Sequence, residues 1–136
     1  MLKRLDHVGI VVDDLNDAKR LLGETLGLRL VRELEVAELA RRVAFFQCGD
    51  AQIEVIEDLD SAARAHVLGG ATARIEHVAF EVDRVDRMDS VLTALDGLGV
   101  KVDKHGVLRI GSRDNVWTDP GTTDGIVFQL VYAASD

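Results

Sequence analysis

The two halves of this 136-residue chain repeat one polar pattern. Residues 5–12 read LDHVGIVV, and residues 75–82, seventy positions later, read IEHVAFEV. Bulky apolar residues alternate with smaller or polar ones in both stretches, which indicates a β-strand. Self-similarity at a fixed spacing indicates that two copies of one supersecondary unit build the fold.

Each repeated strand is followed by a segment with apolar residues at helical spacing. The first segment begins at Asp13 or Asp14 and ends at Gly27, and the second begins at Asp83 and ends near residues 97–99. Aspartate is a favoured N-cap residue, and glycine is common just past a helix. Short apolar runs bounded by turn residues then predict further strands, at residues 28–36, 42–47 and 51–57 in the first half and 100–103, 107–110, 114–119 and 126–133 in the second.

A connector with a short helical stretch at residues 61–68 joins the two patterns. The chain is therefore predicted to be a single α+β domain spanning residues 1–136. It contains two βαβββ modules, at about residues 4–57 and 75–133. The modules are expected to form a curved mixed sheet around a cleft.

Four polar residues occupy equivalent places in the two repeats. His7 and His77 lie in the first strands, while Glu54 and Gln129 interrupt the last strands. Because side chains alternate along a strand, all four fall on the face opposite the bulky apolar residues. Two imidazoles and two oxygen donors suit Co²⁺, Ni²⁺, Mn²⁺ or Zn²⁺. The pattern therefore predicts one divalent metal ion in the cleft.

Each candidate also has an interpretation in which it binds nothing. A lone histidine on a strand is usually an ordinary surface or core residue, but matched placement in a repeat favours ligands. If Glu54 is buried, its charge is costly unless it is paired or bound to a metal. The alternative is that Glu54 lies at an exposed edge of the sheet. Gln129 can be an ordinary strand amide. His66 and His105 have no mirrored partner and are interpreted as surface residues.

Such a metal site supports chemistry at a carbonyl group. Four protein ligands leave two positions of an octahedral ion for adjacent substrate oxygens. The metal then acts as a Lewis acid while the neighbouring proton is removed. Glu38, seven residues before Phe45, is a candidate to accept that proton. Alternatively, Glu38 is a solvated charged residue between two strands and has no catalytic role.

The charge balance limits the partners. There are 24 acidic and 16 basic residues, which gives a formal net charge of −8. Nucleic acids and anionic membranes are bound through Lys and Arg, and no apolar run approaches the ~20 residues of a membrane span. We therefore expect a soluble cytoplasmic protein that acts on a small molecule. The single cysteine, Cys48, is expected to be reduced and buried.

The sequence resembles the vicinal oxygen chelate superfamily, which includes glyoxalases and bleomycin-resistance proteins, over about residues 4–133. Within this superfamily it most resembles the methylmalonyl-CoA epimerases. The resemblance is carried by residues 5–15 (LDHVGIVVDDL), 43–45 (VAF) before 49–50 (GD), 53–57 (IEVIE), 76–82 (EHVAFEV) and 119–130 (DPGTTDGIVFQL).

The resemblance implies a metal-dependent isomerase that abstracts the proton α to a carbonyl, with an acyl-CoA such as methylmalonyl-CoA as substrate. It also implies a homodimer, and it assigns the metal ligands to His7, Glu54, His77 and Gln129. Glu38 matches a catalytic glutamate of the family in its spacing before Phe45.

Three features depart from the epimerase pattern, and one is a Gly-Ala-His-Gly segment that is missing here, with residues 109–113 (RIGSR) in its neighbourhood. Glu76 stands where the epimerases have the first of two consecutive histidines. Gln129 stands where they usually have a glutamate that is both ligand and base, and an amide cannot accept a proton at neutral pH. Glu54 is then expected to supply the missing carboxylate, so Glu38 and Glu54 are the candidate catalytic residues.

Other functions are compatible with the same pattern. One is a glyoxalase-like lyase or another enzyme of the superfamily, such as a dioxygenase or a resistance enzyme. Another is a metal-free protein that sequesters an aromatic drug. Aromatic residues are only 4% of the chain, with Trp117 as its one tryptophan, which argues against the drug-binding function.

Overall fold

A computed structural model of the chain describes residues 1–83 and 86–133. Within these ranges it contains eight strands and three α-helices, in the order β1 (Leu2–Val12), α1 (Leu15–Arg20), β2 (Arg29–Val36), β3 (Arg41–Cys48), β4 (Ala51–Asp58), α2 (Ser61–Leu68), β5 (Ala73–Val82), α3 (Met88–Gly97), β6 (Leu108–Ile110), β7 (Arg113–Trp117) and β8 (Val127–Ala133). None of the described helices is long and apolar enough to cross a membrane.

The chain forms two compact units, one of residues His7–Glu76 and one of Met1–Asp6 with the chain from His77 onward. The strand order is β2-β3-β4-β1 in the first unit and β5-β8-β7-β6 in the second. In each, the first and last strands of a repeat pair in parallel, and the other pairs are antiparallel. The predicted fold class of two βαβββ modules is therefore confirmed.

Each unit has its own apolar core on the face predicted from strand alternation. In the first unit the core joins strands to helix α1 through Val12, Leu15, Ala44, Phe46 and Val55. In the second it joins strands to α3 through Val82, Met88, Val91, Val116 and Leu130. Burial of each large side chain contributes about 1.5–3 kcal/mol relative to exposure. The opposite face is thus left for the polar residues.

Helix α1 begins where the sequence predicts. The Asp14 side chain accepts a hydrogen bond from the Asp17 N–H at 3.0 Å, which caps the helix. The predicted continuous helix is nevertheless interrupted, because Leu21–Thr25 form a π-helical turn. A β-carbon on Gly23 in this turn would lie 3.4 Å from the Phe46 ring, so the wider turn runs close against the core.

Three local predictions are corrected by the structure. Helix α3 begins at Met88 rather than next to Asp83, and residues 84 and 85 of the predicted segment lie outside the described residues. The predicted strand at 100–103 is only a single bridge between Val102 and Thr118. Cys48 is exposed rather than buried, because β3 ends there, next to the turn that leads into β4.

Candidate metal centre

His7 and Glu54 lie on one face of the first unit. Strands β1 and β4 pair in parallel, with His7 opposite Gln52 and Gly9 opposite Glu54. His7 is 3% and Glu54 9% exposed, and His7 Nε2 lies 3.3 Å from Glu54 Oε1. A carboxylate removed from water to this extent needs a positive or hydrogen-bonding partner, so its place beside an imidazole indicates a built site.

Phe45 fixes the surroundings of these two residues. It lies opposite Glu54 in the β3–β4 register. Its ring meets the His7 imidazole edge-on, with 5.6 Å between ring centres and an interplanar angle of 88°. The Phe45 ring therefore restricts the orientation of the imidazole.

The second unit repeats this arrangement with His77 and Gln129. In the parallel pairing of β5 and β8, Ala79 lies opposite Gln129, just as Gly9 lies opposite Glu54. His77 is 4% and Gln129 5% exposed, and Ala79 is fully buried. Small residues beside each polar pair leave room on this face of the sheet.

Asn115 sets the orientation of the Gln129 amide, and sequence reasoning missed it. Gln129 Nε2 donates to Asn115 Oδ1 at 2.8 Å. The Asn115 Nδ2 group donates in turn to the backbone oxygens of Arg113 at 3.1 Å and Leu108 at 3.4 Å. The Asn115 Nδ2 group points to two backbone acceptors, so the Asn115 oxygen faces Gln129. The Gln129 NH₂ group faces this oxygen, and the Gln129 oxygen is therefore turned away from Asn115.

Three of the four predicted ligands come together. One donor atom from each of His7, Glu54 and His77 lies within 4.8 Å of the other two, and all three residues are buried. Two imidazole nitrogens and a carboxylate oxygen, with no thiolate, match the donors that divalent transition metals prefer. The residues present therefore fit a divalent metal ion.

Three other sequence candidates are not members of this group. Glu38 is exposed on a 3₁₀ turn, Ala37–Leu39, between β2 and β3. His66 is exposed on α2, and the exposed His105 has its Nδ1 3.0 Å from Asp103 Oδ2. Among the described residues, none of the three belongs to the group of donors that could hold a metal ion.

The acidic residue before each histidine is held by an arginine. Arg41 donates two 2.7 Å hydrogen bonds to Glu76 and one of 2.8 Å to Asp58, while Arg113 Nη2 lies 2.8 Å from Asp6 Oδ1. Burial alone would lower the pKa of Arg41, but hydrogen bonds and charges from Glu76 and Asp58 outweigh it and raise the pKa. The glutamate that departs from the epimerase pattern thus has a structural partner.

Comparison with known proteins agrees with this architecture. The profile of the Glyoxalase/Bleomycin resistance protein/Dioxygenase superfamily matches residues 6–115. Uncharacterized protein YqjC of Bacillus subtilis (strain 168) is 28% identical over 137 residues, covering 99% of this chain and 96% of that protein. The mitochondrial methylmalonyl-CoA epimerase of Homo sapiens is 25% identical over 138 residues, covering 97% and 75%.

A solved structure resembles the whole chain. The crystal structure of methylmalonyl-CoA epimerase from Mycobacterium tuberculosis superposes with a TM-score of 0.86 at 27% identity. The match covers 98% of this chain and 90% of that one.

Proposed function

Because the chain belongs to the Glyoxalase/Bleomycin resistance protein/Dioxygenase superfamily, we propose that it is a metal-dependent isomerase acting on an acyl-CoA thioester. It removes and returns the proton α to the thioester carbonyl, with methylmalonyl-CoA as the proposed substrate. The buried group of His7, Glu54 and His77 is the observation that carries this proposal. The epimerases among the relatives support the substrate class.

The metal is proposed to be one divalent ion, Co²⁺, Ni²⁺, Mn²⁺ or Zn²⁺, held by His7, Glu54, His77 and Gln129. When bound, such an ion acts as a Lewis acid on the carbonyl oxygen of the substrate. The chain contributes a dry, preorganised set of donors, because the histidines and Gln129 are each at least 95% buried. The Phe45 ring meets the His7 imidazole edge-on and so limits the orientations that this donor can adopt.

The proton transfer is assigned to two carboxylates. Glu38 is proposed to accept the α-proton, since its exposed turn carries a carboxylate that no described ion pair engages. Glu54 is the second proposed proton acceptor, because Gln129 carries an amide at the position where a base is expected. Inversion at the α-carbon requires proton access on both faces, so it depends on both carboxylates.

Hydrogen exchange tests this assignment. Methylmalonyl-CoA incubated with metal-loaded protein in heavy water should take up deuterium at the α-carbon, as followed by NMR. A chelator should stop the exchange, and added metal should restore it. Glu38→Gln should slow it by about 10²–10⁴, the usual contribution of one general base. Glu35→Gln, an exposed glutamate of β2, is the control and should leave the rate unchanged.

The stereochemical outcome separates two forms of the proposal. Exchange with inversion indicates a true epimerase, whereas exchange without inversion indicates that only one face is served. Gln129→Glu supplies another carboxylate and should then speed inversion. Metal-loaded protein that exchanges no hydrogen of any acyl-CoA would overturn the isomerase assignment, and a lyase reaction of the same superfamily would be tested next.

A further inference from the structure

Strand β2 contains a β-bulge beside the proposed site. In its pairing with β3, Leu30 lies opposite Phe46, but Arg32 lies opposite Phe45. Two steps along β2 thus correspond to one step along β3, which leaves Val31 as the extra residue. β-Bulges re-aim side chains and are over-represented next to active sites.

The bulge determines which face Arg32 occupies. In unbroken register Arg32 would lie opposite Ala44, a residue of the core that packs against α1. The observed register moves it to the face of Phe45, which is also the face of Glu54. A cationic side chain is therefore placed on the same face as the proposed metal ligands.

The contacts of Arg32 bring it close to those ligands. Its Cζ lies over the Phe45 ring, 4.4 Å from the centre, which is a cation–π arrangement. The same ring contacts the His7 imidazole, with 5.6 Å between ring centres. Only one side chain thus separates the guanidinium from a proposed ligand.

The guanidinium has its hydrogen-bond donors available. Arg32 is exposed. Its guanidinium contacts Phe45, and it forms no ion pair with any residue of 1–83 or 86–133. By contrast, Lys19 on α1 is paired with Glu33, the next residue of β2, at 2.8 Å. Five N–H donors in a planar fork are suited to bind a carboxylate with two parallel hydrogen bonds.

We propose that Arg32 binds a carboxylate on the acyl group of the substrate, so that the site selects acyl-CoA thioesters carrying a second acid group. This inference rests on the proposed function. A protein of net charge −8 repels an acyl group that carries a carboxylate, and a cationic side chain on the face of the site offsets this repulsion. The phosphates of coenzyme A are separated from the thioester by the whole pantetheine arm, so an anion beside the proposed metal ligands belongs to the acyl group.

Binding measurements on Arg32→Gln test the proposal. Isothermal titration with malonyl-CoA, propionyl-CoA and free coenzyme A compares a ligand with an acyl carboxylate to two without it. Arg32→Gln should raise the Kd of malonyl-CoA by about 10–100-fold, the loss expected for charge-assisted hydrogen bonds. The Kd of propionyl-CoA and of coenzyme A should not change, and Arg32→Lys should restore part of the affinity for malonyl-CoA.

Arg42→Gln is the matched control. It removes the same charge from the neighbouring strand, but Arg42 lies opposite Glu35 and Glu57, on the other face of the sheet. Its Kd values should equal those of the wild type. Unchanged binding of malonyl-CoA by Arg32→Gln, or a wild type with no preference for malonyl-CoA over propionyl-CoA, would overturn the proposal.

The remaining outcomes are also decisive. An equal loss for all three ligands would identify a phosphate contact and overturn the carboxylate assignment. If wild type and variant differ in binding as expected but the wild type exchanges no α-hydrogen, the proposed function fails and the carboxylate site stands. If the wild type exchanges the α-hydrogen but Arg32→Gln binds malonyl-CoA as tightly as the wild type does, the proposed function stands and the carboxylate assignment fails.

Discussion

The Gln129 side chain depends on a neighbour for its use as a ligand. An amide can present either an oxygen or an NH₂ group, and only the oxygen can bind a metal. The buried bond to Asn115 selects one of these orientations. Outer partners of this kind usually change metal affinity about 10–100-fold when they are removed.

Asn115→Leu is therefore expected to weaken divalent metal binding by about 10–100-fold. The affinity would be measured by titration with Co²⁺, and circular dichroism would check that the variant is folded. Asn16→Leu, at an exposed position of α1, serves as the control and should bind Co²⁺ like the wild type. Equal affinity in both variants would show that the Gln129 amide needs no help in its orientation.

The histidines are expected to divide into two classes. His77→Ala removes a buried donor of the three-residue group and should cause a severe loss of bound metal. His66→Ala and His105→Ala remove exposed imidazoles and should retain full occupancy. Elemental analysis of protein purified without chelators from metal-supplemented medium measures all three. Full occupancy of the His77 variant would exclude the site.

At this scale the sequence predicts only what the repeat marks. His7 and His77 were found because they recur at the same place in two strands, and Glu54 because it interrupts an apolar run. Arg32 and Asn115 could not be found in this way. The face of Arg32 depends on a bulge, and the role of Asn115 depends on a partner fourteen residues away.

Between elements, the ion pairs of Arg41 fasten β3 to the residue that precedes His77. The Arg41 side chain is 18% exposed, and those of Glu76 and Asp58 are 22% and 9% exposed. Removing one partner of a largely buried pair leaves an uncompensated charge, which is far more costly than the net value of the pair. The arginine is thus expected to be important for the stability of this strand end.

Arg41→Met should lower the free energy of unfolding by about 3 kcal/mol, in the range reported for broken buried pairs. Urea denaturation provides the measurement. Lys19→Met breaks the more exposed pair with Glu33 and should cost no more than about 1 kcal/mol. Similar losses in the two variants would mean that burial adds nothing to the Arg41 network.

The elements themselves were predictable where local signals are strong. Asp14 caps α1, and the turn after Cys48 joins β3 to β4, both as local residue preferences require. The π-helical turn of Leu21–Thr25 was not predicted, because helical spacing of leucines cannot distinguish it from an α-helical turn. In this turn Gly23 lies close to the Phe46 ring, a contact between distant residues that exists only in the folded chain.

For the whole molecule, the internal repeat was the strongest guide. Two copies of one strand order follow from a pattern that recurs after seventy residues. The prediction of a single domain remains a prediction, since the chain divides into two compact units. A repeat indicates how many modules there are, but it contains no information about how independently each one unfolds.

Assembly is the last expectation at this scale, and we propose a homodimer. Each first strand has a large apolar residue two positions before its histidine, and Leu5 and Ile75 are 41% and 70% exposed. Burial of these exposed apolar side chains against a second copy of the chain removes them from water and so stabilises a dimer. Light scattering at micromolar concentration should give about twice 14.9 kDa.

Two variants make this prediction specific. Ile75→Lys places a charge on β5 and should shift the mass toward that of a single chain, because a buried unpaired lysine is costly. Leu98→Lys, at a position 78% exposed after α3, should leave the mass unchanged. A wild type of about 14.9 kDa would contradict the dimer. A dimeric Ile75→Lys would show that the strands pair with a second chain elsewhere, since an interface over Ile75 could not accept the charge.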